Sequence, residues 1–232
     1  MMKMKWMAAL APLVVASNAW SQNLQITITN LTQGTYFTPL LIAAHSSDAV
    51  MFRVGQYASP ELQAIAEVGD ISSMGTLLTS VSANMVENPA DGLLAPGESI
   101  ATTLENLEGN DYLSLASMLL PTNDGFVGLD SWMIPTEPGT YTINLNAYDA
   151  GTEANDEIVN GAGAPGEPGI PVAPGMDAGI GGTGVTSTED NTLVHIHRGN
   201  LGDDDPNGGK SDLDNTVHRW LNPVAVVTIV VN

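Results

Sequence analysis

Cysteine is absent from this 232-residue sequence, and basic residues are scarce, with six Lys and Arg against 26 Asp and Glu. Without cysteine the chain forms neither disulfides nor thiolate metal sites, so its rigidity must come from core packing, to which bound ions could add. The formal net charge of −20 makes the protein a poor partner for nucleic acid and for anionic lipid surfaces. Divalent cations would relieve part of the self-repulsion of so acidic a chain.

Long apolar runs are absent after the first residues. Two lysines precede an apolar run over residues 7–15, which is followed by small residues near Ala19 and Ser21. This pattern predicts a secretory signal peptide over residues 1–21, cut after Ala19 or Ser21, and favours a bacterial protein that is secreted, periplasmic or at the cell surface. A membrane anchor is the alternative, but this run is well short of the roughly 20 residues that span a bilayer.

Alternation of apolar and polar residues, the period of a strand with one buried face, recurs along the chain. The run at 224–231 is instead continuously apolar and suits a central strand. The predicted strands are residues 24–29, 112–120, 140–148, 192–197 and 224–231. The predicted fold class is therefore all-β, an antiparallel β-sandwich.

One short helix and one long loop complete this prediction. Residues 59–69 have a Ser N-cap, Pro in the first turn and Gly just past the end, which predicts a helix over one end of the sandwich. Residues 160–184 are too rich in Gly and Pro for a helix or a ladder. They could link two domains, but the roughly 48 residues that follow are too few for a core of their own. We therefore predict one domain over 22–232 with this loop inserted.

Four segments carry a family resemblance when they are taken in order. They are Ala-His-Ser-Ser-Asp at 44–48, Gly-Gln-Tyr-Ala-Ser at 55–59, Pro-Thr-Asn-Asp-Gly-Phe-Val-Gly-Leu-Asp-Ser at 121–131 and Tyr-Asp-Ala-Gly-Thr-Glu at 148–153. The chain resembles the spondin N-terminal domain family of the F-spondin and mindin type over most of its mature length. The resemblance implies a C2-like antiparallel sandwich and a calcium-binding, non-enzymatic recognition or adhesion module, whose partner would be an extracellular or envelope protein or a glycan.

The resemblance also implies the calcium ligands, which fall on Glu105, Asp124 and Asp149. The chain departs from the family in lacking its cysteines, in the inserted loop and in having Gly125 where Trp is usual. Asp124 and Asp149 each follow a predicted strand, and strand ends at one rim can converge on an ion. The alternative is that both aspartates cap turns and that Glu105 is simply solvated.

A second calcium candidate is independent of the family. Asp203, Asp205, Asn207 and Asp214 stand at positions one, three, five and twelve of a loop with Gly at six, which is the spacing of an EF-hand loop. Asp replaces the bidentate Glu at position twelve, and no predicted helix flanks the loop. A calcium-stapled loop and a solvated acidic turn are equal alternatives.

The histidines give an alternative function. His195 and His197 share one face of a predicted strand and could ligate zinc or copper, which would make the protein a transition-metal-binding protein or a metalloenzyme, with His45 as a further ligand. The absence of a third ligand nearby in sequence favours packed strand residues instead. His45 and Asp48 also suggest a hydrolase, but no Gly-x-Ser-x-Gly elbow accompanies them, so we predict no catalysis.

Overall fold

The computed structural model describes residues 22–107, 109–176 and 178–232. The predicted signal peptide lies outside the described residues. The described segments form ten strands and two helices, α1 (Pro60–Val68) and α2 (Ser72–Ser80). The strands are β1 (Gln22–Asn30), β2 (Tyr36–Phe37), β3 (Leu41–His45), β4 (Asn84–Glu87), β5 (Ser99–Asn106), β6 (Tyr112–Leu120), β7 (Gly125–Met133), β8 (Gly139–Asp149), β9 (His195–Ile196) and β10 (Ala225–Val231).

Eight strands follow one another in the order β4-β3-β6-β7-β8-β10-β1-β5, while β2 pairs with β6 and β9 with β8. Every pairing between these strands is antiparallel. The first and last strands of this order, β4 and β5, contact each other, so the sheet folds over and encloses a core. The predicted all-β antiparallel class is confirmed.

The main core lies between the two halves of the folded sheet. Alternate residues of β1 point into it, and the intervening polar residues face outward, as the period of the sequence predicted. The strand predicted at 224–231 is indeed central, because β10 lies between β8 and β1. The buried side chains that β1 and β10 contribute are Leu24, Ile26, Ile28, Ala225, Val227, Ile229 and Val231.

Helix α1 has the ends that the sequence predicted. The Ser59 hydroxyl accepts a hydrogen bond from the Leu62 N–H at 3.2 Å. Gly69 adopts a left-handed conformation, φ +70°, and its N–H donates to the Ile65 carbonyl, which ends the helix. The inward side chains Leu62 and Ile65 pack in a second core cluster that includes Phe126 of β7.

The predicted helix is followed by a second one, α2, which the pattern did not indicate. Ile71 stands at its N-cap and provides no side-chain hydrogen bond, so the usual start signal is missing. Met74 and Leu78, one turn apart, are both buried and hold α2 against the rest of the chain. Tertiary packing therefore determines this helix more than local sequence does.

The Gly/Pro-rich loop packs onto the sheet. Its described residues contain neither helix nor strand, as predicted. Ile170 pairs with Val159 in an isolated bridge and is buried in a third cluster with Met118 of β6. Neither described helix exceeds nine residues, and none in the described part of the chain is long and apolar enough to cross a bilayer.

Candidate functional site

Antiparallel pairing of β7 with β8 brings two predicted ligands together. Asp124 directly precedes β7, Asp149 ends β8, and Gly125 is paired with Asp149. The Ala150 N–H donates to the Asp124 backbone carbonyl at 3.1 Å and fixes this end of the ladder. The two aspartates, here called the carboxylate pair, are 0% and 1% exposed. Burying two carboxyl groups in one place is costly unless something compensates their charge.

Asp124 has one saturated oxygen and one free oxygen. Its Oδ2 accepts hydrogen bonds from the Thr152 N–H at 2.8 Å, the Thr152 hydroxyl at 3.2 Å and the Glu153 N–H at 3.1 Å. Its Oδ1 is buried and has no hydrogen-bond partner among the described residues. Burial, together with the neighbouring charge of Asp149, raises the pKa of Asp124 well above its ordinary value. The carboxyl group of Asp124 is therefore stable in this position either when it is protonated or when a cation neutralises its charge.

Asp149 is the point at which the carboxylate pair meets two histidines. Its Oδ1 accepts from the Gly151 N–H at 2.9 Å and its Oδ2 from the Asn155 amide at 2.7 Å, while burial raises its pKa. The short strand β9 pairs with the end of β8 and sets His195 opposite Asp149. The Nε2 atoms of His195 and His197 lie 3.8 and 4.0 Å from Asp149 Oδ2. No sequence pattern indicated that these histidines lie next to the aspartates.

The two imidazoles present different chemistry to Asp149. His195 Nδ1 lies 2.8 Å from the Leu193 carbonyl, which can only accept, so in the neutral ring Nδ1 carries the proton and Nε2 has a free lone pair. His197 Nδ1 accepts from the Gly199 N–H at 3.0 Å. Burial lowers the pKa of His197 to about 3, so this ring is neutral and its proton is on Nε2. That N–H finds no acceptor in the described segments.

Gly125 makes room for His197. A Cβ at position 125 would lie 3.1 Å from His197 Cδ2 and 2.7 Å from the Thr122 hydroxyl. On its other side, His197 packs against Trp220 with ring centroids 5.0 Å apart. The Trp that the family resemblance leads us to expect at 125 is therefore incompatible with the position of His197 in this chain.

Glu105 does not join the carboxylate pair. It lies exposed on β5 opposite Asn23, and the next residue of β1, Leu24, is opposite Val231 of β10. Val231 is in turn opposite Gly139, which begins β8. Asp149 ends that 11-residue strand, about 33 Å away along it. The predicted three-carboxylate set is corrected on this point: the strand register places Glu105 at the opposite end of the sheet.

His45 is also remote from the other histidines. It ends β3 opposite Tyr112, the first residue of β6, whereas Asp124 follows the last residue of that strand. Its ring is buried, with Nε2 at 2.7 Å from the Ser114 hydroxyl and Nδ1 at 2.8 Å from the Ser46 carbonyl. A metal site that combined His45 with His195 is excluded by a separation of about 26 Å along β6.

The described part of the chain contains no three His, Asp or Glu side chains that already converge tightly enough to hold a metal ion. Asp124, with its unpartnered oxygen, and Asp149 fit two of the three predicted calcium ligands. The third predicted ligand, Glu105, lies elsewhere. Binding of an ion by Asp124 and Asp149 stays a prediction.

The loop at 203–214 brings its predicted ligands into one turn, but their carboxylate oxygens accept hydrogen bonds from the loop itself and from Thr216 just after it. Asp203 Oδ2 accepts from the N–H groups of Lys210 at 2.7 Å and Ser211 at 2.9 Å, and these bonds lower its pKa. Asp214 accepts from the N–H and hydroxyl of Thr216, and Asp205 accepts from the Asn207 N–H at 2.9 Å. Such bonds are typical of acidic turns. A second calcium site in this loop stays a prediction.

Glu153, beside the carboxylate pair, is expected to make stability depend on pH. Burial raises its pKa from 4.5 to about 7, although the Gly169 N–H and the Asn123 amide, at 2.9 Å, donate to its Oε1 and oppose the rise. Because the folded pKa exceeds the unfolded one, the contribution of Glu153 to stability is complete below about pH 4.5 and is lost as the pH rises through about 7.

Wild type should therefore lose stability relative to Glu153→Gln between pH 4.5 and 7.5. After allowance for solvent screening of this partly exposed group, we expect a difference on the order of 1 kcal/mol. Thermal unfolding of both proteins in chelator at constant ionic strength measures it. Parallel pH profiles for the two proteins would contradict this assignment.

Sequence comparison places the carboxylate pair within a known family. The Spondin_N family model matches residues 13–159, a span that includes Asp124 and Asp149 but ends before His195. Spondin-2 of Homo sapiens is 31% identical over 133 residues, and Spondin-2 of Rattus norvegicus is 35% identical over 132 residues. Each alignment covers 51% of this chain and 38% of the curated relative, so the chain matches less than half the length of either. Since the family model matches more than half of the sequence, the chain belongs to the spondin N-terminal domain family.

Proposed function

We propose that the protein is an exported, non-enzymatic recognition or adhesion module of the spondin type, with an extracellular or envelope protein or a glycan as partner. In this proposal the carboxylate pair holds a divalent cation, and the cation fixes the loops at that end of the sheet. Calcium is the ion that carboxylate oxygens alone favour.

The observation that carries the proposal is the buried, unpartnered Oδ1 of Asp124 next to a second buried carboxyl group. Asp124 is 0% exposed, and the described residues provide no donor for this oxygen. Leaving a buried acceptor unsatisfied costs about 1–3 kcal/mol, and more when the group is charged. A bound cation would remove this cost and neutralise the charge of both aspartates.

The buried Ser114 and His45 side chains support a non-enzymatic role. Their Oγ and Nε2 atoms are 2.7 Å apart, which is the spacing of a nucleophile and its base. Both residues are at most 1% exposed, so a substrate has no access to them. His45 Nδ1 contacts the Ser46 carbonyl rather than a carboxylate, and the Ser114 hydroxyl accepts from the Ser131 N–H. This pair is a buried hydrogen bond within the sheet.

Calcium titration of chelator-treated protein tests the cation centre. We expect wild type to bind one calcium per chain and Asp149→Ala to lose at least tenfold in affinity, about 1.4 kcal/mol. Glu105→Gln is the matched control, because it removes a carboxylate at the opposite end of the sheet and should bind as wild type does. Equal heats from wild type and Asp149→Ala in isothermal titration would refute the centre, and a loss in Glu105→Gln would restore the ligand set predicted from sequence.

A further inference from the structure

We infer that the cation centre takes a nitrogen-accepting divalent transition ion, with zinc as the type, through His195 Nε2 together with the carboxylates of Asp149 and Asp124. This inference rests on the cation centre proposed above and names the class of ion that this chain selects. The imidazole ligand comes from β9, beyond the span that the family model matches.

His195 is arranged as a metal-binding histidine. Its Nδ1–H donates to the Leu193 carbonyl at 2.8 Å, an outer hydrogen bond that is common in metal-ligating histidines and fixes the ring orientation. Its Nε2, which has the free lone pair, lies 3.8 Å from Asp149 Oδ2. The ring is 28% exposed, so an ion can reach it from solvent.

The separation of these two donors is close to that of ligands on one ion. Zinc bonds nitrogen and oxygen at about 2.0–2.2 Å, which puts two tetrahedral ligands about 3.3 Å apart. His195 and Asp149 would therefore have to approach by about half an ångström. Because the His195 side chain is partly exposed and lies on a two-residue strand, this adjustment is small. It also accounts for the absence, in the described residues, of three donors already gathered around one point.

Two further buried polar atoms near Asp149, Asp124 Oδ1 and His197 Nε2, have no hydrogen-bond partner among the described residues. Asp124 Oδ1 is a free acceptor and would be the second carboxylate ligand, because the antiparallel pairing of β7 with β8 brings Asp124 next to Asp149. His197 is not a ligand, because its Nε2 carries a proton, but this N–H is 4.0 Å from Asp149 Oδ2. It can donate to Asp149 or to a water on the ion, as outer-shell groups of metal sites do. His197 is 3% exposed, so this donor needs such an acceptor.

The mixed set of donors selects the ion. Calcium requires six to eight oxygens and has little affinity for imidazole, whereas two carboxylates with one imidazole suit zinc and its neighbours in the first transition series. Glu105, which would have added a third carboxylate, is at the other end of the sheet. The geometry therefore favours a transition ion over calcium.

Zinc and calcium titrations of the chelator-treated full chain test this inference. We expect wild type to bind one zinc per chain more tightly than calcium. His195→Gln should lose more than about 100-fold in zinc affinity, because loss of a direct ligand exceeds the 10 to 100-fold range of outer-shell changes. His218→Gln, which removes another histidine, is the matched control and should bind zinc as wild type does. Nitrogen chemical shifts of wild type give a second measurement that needs no variant: on zinc addition His195 Nε2 should move while His197 Nε2 keeps its proton.

The outcomes separate this inference from the proposed function. A loss of zinc affinity in His195→Gln that stays within about 100-fold, or a His195 Nε2 resonance that zinc does not move, would overturn the inference. Calcium binding that depends on Asp149 but exceeds zinc binding would also overturn it and leave the proposed cation centre standing. If wild type binds neither ion, both fall.

Discussion

Glu157→Ala is expected to lower the free energy of unfolding by about 3–5 kcal/mol, the cost of removing one partner of a buried charged network. Glu157 is 2% exposed. Its Oε1 accepts from the Leu201 N–H at 2.7 Å, and its Oε2 accepts from the Gly202 N–H at 2.8 Å and the Ser211 hydroxyl at 2.7 Å. Alanine would leave all three donors without this acceptor.

Guanidinium chloride unfolding followed by circular dichroism measures this effect. Glu157→Gln keeps one carbonyl oxygen in the same place and should fall between wild type and alanine. Glu98→Ala is the control for charge, because Glu98 is exposed, and its unfolding should change by no more than about 0.5 kcal/mol. If Glu157→Ala were as stable as Glu98→Ala, the hydrogen bonds from Leu201, Gly202 and Ser211 to the Glu157 carboxylate would not contribute to stability.

Phe126→Ala is expected to lower the free energy of unfolding by about 3–5 kcal/mol through loss of apolar burial and creation of a cavity. Phe126 is fully buried in the cluster under α1. Its ring meets Phe52 edge-on with centroids 5.0 Å apart and lies 5.6 Å from the ring of Tyr148. These contacts add to the burial energy of the side chain.

The same change should also weaken cation binding, because Phe126 is two residues after Asp124 and Tyr148 is next to Asp149. Calcium and zinc titrations of folded Phe126→Ala would measure this effect at a temperature below its unfolding transition. Phe126→Leu fills most of the space and should lose less than half as much stability. Tyr57→Ala, at a side chain that is 77% exposed, is the control for removing an aromatic ring. A cost below about 1 kcal/mol for Phe126→Ala would contradict the packing described here.

Much of the sheet could be predicted because its inner strands alternate cleanly or are continuously apolar. Two of the missed strands, β5 and β7, have a weaker signal for identifiable reasons. β7 contains Gly125 and Gly128, which are poor strand residues, yet the Phe52 ring occupies the space that a Cβ at 128 would need. β5 does alternate, with Ile100 and Leu104 turned inward, but the intervening threonines make its pattern weak. Contacts between segments that are distant in sequence determine that these strands form.

The candidate site could be predicted only in part. Asp124 and Asp149 were identified from segments that resemble a family, and their juxtaposition follows from strand ends that pair. The position of Glu105 could not be read from sequence, because it depends on register across four strands. The meeting of His195 with Asp149 depends on a two-residue strand that returns after a long loop, and no local pattern encodes that return.

The central position of β10 has a consequence for how the chain acquires its structure. β10 lies between β8 and β1, so the hydrogen-bonded ladder that links these two strands runs through residues 225–231. Its partner β1 is about two hundred positions earlier, and pairing over such a distance is slow. Until this segment is made and released, β1 and β8 are open edges that invite intermolecular association. The stretch that matches the family model ends at residue 159 and omits β10, so that stretch expressed alone would lack the strand that links β8 to β1.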